Sequence, residues 1–193
     1  MTVLLKRYPS PETIPDVVLH YTEPILRTPR ELLILRHAKS DRDGDAETDL
    51  ARPLAKRGKK DAQRMGAWMY REGLVPDLVV SSPAERARQT TDAVCKGLEY
   101  QRKAVVWNET IYQATVADLL GVLAGLPASA KTVLLVGHNP GFEQLLIHLV
   151  GNNVDDGALL PTAALARLEM PDDWSNLGPC CAQLVSITVS KSL

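Results

Sequence analysis

Four short apolar runs punctuate the chain: Leu32-Leu33-Ile34-Leu35, Leu78-Val79-Val80, Val105-Val106-Trp107 and Val133-Leu134-Leu135-Val136. Each is too short for an independent helix and reads as a strand, the first two as buried strands of a parallel sheet. The segments between them carry helical spacing. From about 54 to 72, Ala62, Met65 and Met69 form one stripe, and Gly73 ends it. After the second strand, Ser82 as N-cap, Pro83 at the first helical position and Glu85 closing a capping box predict a helix through Ala87, Thr91, Val94 and Leu98. Val116, Leu119, Leu120 and Leu123 mark a third helix, ended near Gly125 and Pro127, and Phe142, Leu145, Leu146 and Leu149 a fourth. A loop over 151–157 follows, then late edge strands at 163–169 and 184–189. Strands alternating with helices predict an α/β fold, a three-layer α/β/α sandwich with a mostly parallel central sheet and right-handed crossovers.

Two stretches fall outside this alternation. Residues 1–30 hold Pro9, Pro11, Pro15, Pro24 and Pro29 without a sustained period, and read as a Pro-rich extended arm with a short strand around 17–21. The domain proper is then 31–193. The polar loop 41–52 carries Asp41, Asp43, Asp45, Glu47 and Asp49. Its alternate aspartates imitate a calcium loop, but Gly44 falls one place early and no glutamate closes it, so it reads as a solvated loop near the sheet edge.

Composition narrows the function classes. With 193 residues, 45% of them apolar, the chain makes one domain with a real core. A net charge of −1 gives no general attraction for nucleic acid or an anionic membrane, so any affinity for phosphate must be local. No apolar run approaches a membrane span, and the first residues lack the pattern of a secretory signal. Cys95, Cys180 and Cys181 have neither zinc-site spacing nor an even count, which predicts reduced thiols and a cytoplasmic protein.

The candidate chemistry lies where the strands end. Arg36-His37 follows the first strand, Arg86 follows the second and His138 the last of the four runs, so one sheet edge gathers two guanidiniums and two imidazoles. In open α/β sheets that edge is where ligands bind. No carboxylate is designated as their partner, and the unpaired charge favours an arriving dianion. Neighbouring positive charge lowers an imidazole pKa and keeps the ring neutral and nucleophilic. Attack on phosphorus would then give a phosphohistidine intermediate. Arg88, two residues after Arg86, points about 200° around the helix and belongs to another face. A two-histidine metal site from His37 and His138 lacks the third ligand such sites need.

Arg36-His37-Ala38-Lys39-Ser40, Ser81-Ser82-Pro83-Ala84-Glu85-Arg86-Ala87-Arg88-Gln89-Thr90 and Val136-Gly137-His138-Asn139-Pro140 together resemble the histidine phosphatase (phosphoglycerate mutase-like) superfamily, and within it the SixA-type phosphohistidine phosphatases. The resemblance covers roughly residues 32–190 and leaves the N-terminal arm outside. It implies a phosphoglycerate mutase-like fold and a phosphohydrolase working without a metal or other cofactor. His37 is implied as the phosphorylated nucleophile, with Arg36, Arg86 and His138 binding the phosphoryl group. Ala38 stands where the superfamily's first motif usually has glycine, and Asp43 where larger members have a phosphate-holding asparagine, so that role is not carried over. Asn108-Glu109-Thr110-Ile111-Tyr112 resembles the segment that supplies a general acid, and Glu109 reads either as that acid or as an exposed loop carboxylate. The implied partner is a phosphorylated protein bearing phosphohistidine. The alternatives are a small phosphate ester, or a catalytically silent module that binds phosphate or a phosphoprotein.

Overall fold

The chain is described by a computed structural model over residues 29–42, 44–151 and 160–193. The strand at 17–21, nearly all of the arm, Asp43 and residues 152–157 of the predicted loop lie outside the described residues. The elements are β1 (Arg30–Arg36), α1 (Lys56–Arg71), β2 (Leu78–Ser81), α2 (Glu85–Gly97), β3 (Val106–Trp107), α3 (Val116–Ala124), β4 (Thr132–Gly137), α4 (Gly141–Val150), β5 (Ala164–Met170) and β6 (Gln183–Val189). They build one sheet in the order β3-β2-β4-β1-β5-β6.

The near-continuous apolar strands make sense because both faces of the sheet are covered. Leu33, Leu35, Val79, Leu134 and Val136 point into one layer with Met65 and Met69 of α1, Val94 and Cys95 of α2, and Leu98 just past its end. Leu32, Ile34, Val80, Val133 and Leu135 point into the other with Leu119 and Leu123 of α3 and Phe142, Leu145 and Leu149 of α4. Side chains alternate across a strand, so a strand buried on both faces needs an apolar residue at every position. On the first face α1 and α2 touch backbone to backbone: a Cβ on Gly66 would lie 2.8 Å from the Val94 Cα.

β1, β2, β3 and β4 run parallel, β5 is antiparallel to β1, and β6 is antiparallel to β5. One expectation is corrected here. Of the two late strands only β6 is at an edge, the other edge being β3; β5 lies inside the sheet, paired with β1 from Arg30↔Met170 to Leu35↔Leu165. Its apolar residues are buried from both sides, as an internal position requires.

This order brings the candidate residues together. β1 and β4 are neighbours in register, Arg36 opposite Gly137, and β2 flanks β4 with Ser81 opposite Val136. The chain leaves β1 toward β2 on one side and leaves β4 toward β5 on the other. Departures in opposite directions from adjacent parallel strands open a crevice at their carboxyl ends.

Candidate active site

Three strand ends furnish the floor of a cavity of about 530 Å³, lined among others by Arg36, His37, Asp49, Arg52, Arg86, Tyr112, His138 and Asn139. His37 continues β1 by donating its backbone N–H to the Gly137 carbonyl at 2.9 Å. Glycine is required at 137, because a Cβ there would lie 2.6 Å from both Ile111 and Phe142 side-chain atoms. The next peptide is held by α2: Ala38 N–H donates to Thr90 Oγ1 at 3.0 Å, and that hydroxyl donates to the Arg86 carbonyl at 2.7 Å. The nucleophile candidate and the arginine candidate are thus fastened to each other through Thr90.

The His37 ring is buried, with Nδ1 2.7 Å from the Ala38 carbonyl. A carbonyl only accepts, so Nδ1 carries the hydrogen and Nε2 keeps its lone pair. Burial is the main cause that lowers the His37 pKa to about 4; Arg86, Arg36 and Arg52 lower it further, and the Ala38 carbonyl opposes them. The expected neutral imidazole is therefore produced by desolvation first and by neighbouring charge second. The His138 ring stands 5.0 Å from that of His37, centroid to centroid. Its Nε2 lies 2.8 Å from Ser82 Oγ, and burial, then His37 and Arg86, lower its pKa to about 3.

Ser82 is a second correction. It is not an N-cap: α2 begins at Glu85, with Ala84 in the capping position and no side-chain cap. The Ser82 hydroxyl accepts from Ala84 N–H at 3.3 Å and meets His138, while the Glu85 carboxylate accepts from Gln89 at 2.6 Å. The residue that looked like a local helix signal is a support for the second histidine.

The arginines are anchored unequally. Arg36 donates from one terminal nitrogen to the Leu160 carbonyl at 2.7 Å, an oxygen that also accepts from Asn139 Nδ2 at 3.1 Å. Leu160 N–H in turn donates to Glu143 Oε1 at 3.1 Å. Arg86 is buried and gives both terminal nitrogens to one residue, the Asp49 carbonyl at 2.6 Å and Oδ2 at 2.9 Å. The cationic set therefore has a carboxylate partner after all, contrary to expectation. Arg52 holds the other Asp49 oxygen at 2.6 Å, and the Tyr112 hydroxyl donates to Oδ2 at 2.9 Å. Partial burial of Asp49 works against its charge, but Tyr112, Arg86 and Arg52 outweigh it and hold the carboxyl below its ordinary pKa.

Arg36, His37, Arg86 and His138 are brought to one cavity. Glu109 is not: it is exposed on the 3-10 turn Glu109–Ile111, and the cavity wall beyond that turn is made by Tyr112, Gln113 and Thr115. Arg88 faces elsewhere, 4.9 Å over the Trp107 ring. Sequence reasoning missed Asp49, Arg52, Tyr112 and Ser82. Nothing in the spacing of the loop singles Asp49 out from its four acidic neighbours.

The chain is similar to known proteins. Residues 32–111 match the model of the histidine phosphatase superfamily, branch 1. An uncharacterised Mycobacterium tuberculosis protein is 32% identical over 165 residues, which cover 81% of this chain and all of the relative. Among solved structures, two SixA proteins assigned as phosphohistidine phosphatases are similar. The one from Nakamurella multipartitia has a TM-score of 0.73 at 29% identity, over 83% of this chain and 96% of its own. The one from Agrobacterium tumefaciens has a TM-score of 0.71 at 27% identity, over 84% of this chain and 99% of its own. The sheet order with its crevice, the three motifs and these matches converge: the chain belongs to the histidine phosphatase superfamily, in its SixA-type branch, and is a phosphatase.

Proposed function

We propose that this phosphatase removes the phosphoryl group from phosphohistidine in a protein, through a covalent phosphohistidine on His37. The observation that carries the reading is the fixed tautomer of His37, with Nδ1–H on the Ala38 carbonyl and a lone pair on Nε2 beside Arg36, Arg86 and His138. In the first step Nε2 attacks phosphorus in line while Arg36, Arg86 and His138 hold the equatorial oxygens. The bond from phosphorus to the substrate's ring nitrogen breaks, and its electron pair leaves with that ring. In the second step water attacks the phosphoryl group, the His37 nitrogen departs, and inorganic phosphate is released.

The substrate class follows from the leaving group. Transfer from one imidazole to another is close to balanced, and a substrate ring protonated on its other nitrogen departs neutral, without an acid. An alkoxide needs a proton in the transition state. Glu109 lies exposed outside the cavity lining, and Asp49, the one carboxylate lining it among the described residues, is held in the ionised form. Both facts support phosphohistidine over small phosphate monoesters.

Intact-protein mass spectrometry after a brief, alkaline-quenched reaction with phosphohistidine or an aryl phosphate tests this, because a phosphoramidate survives base. One phosphoryl adduct, mapped to His37 and lost in His37→Ala, is the expected result. Turnover without an adduct in wild type and in the slower His138→Ala would remove His37 from the mechanism. Neither adduct nor turnover would leave a binding module.

A further inference from the structure

We propose that Asp49 determines the specificity of the phosphoryl site by acting as an internal competitor, a tethered carboxylate that only a dianionic oxyanion displaces. The inference rests on the reading of the cavity as a phosphoryl site. Three donors converge on this one side chain: Arg86 at 2.9 Å and the Tyr112 hydroxyl at 2.9 Å on Oδ2, and Arg52 at 2.6 Å on Oδ1. Two guanidiniums and a hydroxyl are the donor set an oxyanion would recruit. Asp49 already uses it.

The geometry lets the carboxylate leave without dismantling the site. The Asp49 side chain is 48% exposed, whereas that of Arg86 is 7% exposed, so the carboxylate reaches inward from the solvent side toward a fixed guanidinium. The loop backbone is pinned independently of the carboxylate. Glu85 N–H donates to the Leu50 carbonyl at 2.9 Å, Asp41 N–H to the Pro53 carbonyl at 2.9 Å, and Ala55 N–H to the Lys39 carbonyl at 3.0 Å. Arg86 also keeps its bond to the Asp49 carbonyl, at 2.6 Å, when the side chain turns. Rotation about the Asp49 side-chain torsions alone therefore releases one nitrogen of Arg86, one of Arg52 and the Tyr112 hydroxyl together.

Selectivity follows from what a competitor must offer. A tethered carboxylate competes at an effective concentration in the millimolar range or above. A free carboxylate carries the same charge and the same two oxygens, so it gains nothing by exchange. A phosphoryl dianion brings a second charge and a third oxygen, which Arg36 and His138, lining the same cavity, are there to meet. The site thus discards the carboxylates that crowd any protein surface and admits phosphoryl groups.

Calorimetric titration of inorganic phosphate and of acetate, near pH 8, into wild type, Asp49→Asn and Asp49→Ala tests the idea without requiring turnover. Both variants should bind phosphate about fivefold more tightly than wild type, and acetate binding, undetectable in wild type, should appear. Phosphate affinity unchanged or weakened in both variants overturns the proposal and makes Asp49 a scaffold for the arginines. Phosphate binding to none of the three proteins overturns the phosphoryl-site reading itself, and the inference with it.

Discussion

For the proposed attack on phosphorus near neutrality His37 has to be unprotonated before substrate arrives, and the fold keeps its ring neutral mainly by burial. Its pKa is lowered to about 4, from an ordinary 6.5, and that of His138 to about 3. The sign of the consequence is fixed by linkage. Between pH 6.5 and about 4 the unfolded chain takes up protons that the native state refuses, so stability falls as pH falls through that window. For His37 the loss at the acid end amounts to about 3 kcal/mol. Urea denaturation at neutral pH and near pH 4.5 should show a steeper loss in wild type than in His37→Asn. In NMR titrations the His37 ring should stay neutral from pH 8 down to about 5. A midpoint above pH 6 would contradict the neutral nucleophile.

Among the elements, those set by local pattern were legible and those set by distant partners were not. Residues 56–71 form the helix that the stripe of Ala62, Met65 and Met69 announces, and Gly73 just beyond its end has φ of 69°, a conformation that suits glycine. Four strands followed from apolar runs bounded by turns. The start of α2 was misread because Ser82 and Glu85 satisfy the spacing of a capping box, while the serine hydroxyl is taken up by His138, 56 residues away. The interior place of β5 was hidden for a similar reason: strand order is decided by pairing across the whole chain. Of the site, the motif residues Arg36, His37, Arg86 and His138 stood out, but their supports did not. α4 supplies one such support. Glu143, in its first turn, accepts Leu160 N–H, and the carbonyl of that residue then holds Arg36 and Asn139. On the proposed reading of the cavity, this makes Glu143 a positioning residue that acts through Arg36. Glu143→Ala should raise KM for an aryl phosphate about tenfold with a smaller change in kcat, and Glu143→Gln, whose amide oxygen still accepts from Leu160, should restore most of it. Equal losses in both variants, with kcat falling as far as KM rises, would contradict this role.

Over the whole molecule, 22 basic and 23 acidic side chains nearly cancel, yet the cavity is far from neutral. Among the described residues Arg36, Lys39, Arg42, Arg52 and Arg86 line it against the one carboxylate of Asp49. The molecule as a whole therefore exerts almost no pull on a phosphorylated partner, and the field that guides the phosphoryl group acts only near the crevice. Such a field is short in range and open to screening, because the Debye length shrinks from about 10 Å at 0.1 M salt to about 3 Å at 1 M. Capture should then depend on salt while chemistry inside the buried cavity does not. Across that range kcat/KM for a dianionic aryl phosphate should fall several-fold with kcat nearly constant. Lys39 and Arg42 are exposed at the mouth, where they contribute to the field at the rim of the phosphoryl pocket. Reversing both, Lys39→Glu with Arg42→Glu, should lower kcat/KM at low salt and flatten its salt dependence, leaving kcat much less affected. A kcat/KM that ignores salt in wild type would mean that capture is governed by contacts made after docking, and not by the charge gathered at the ends of β1, β2 and β4.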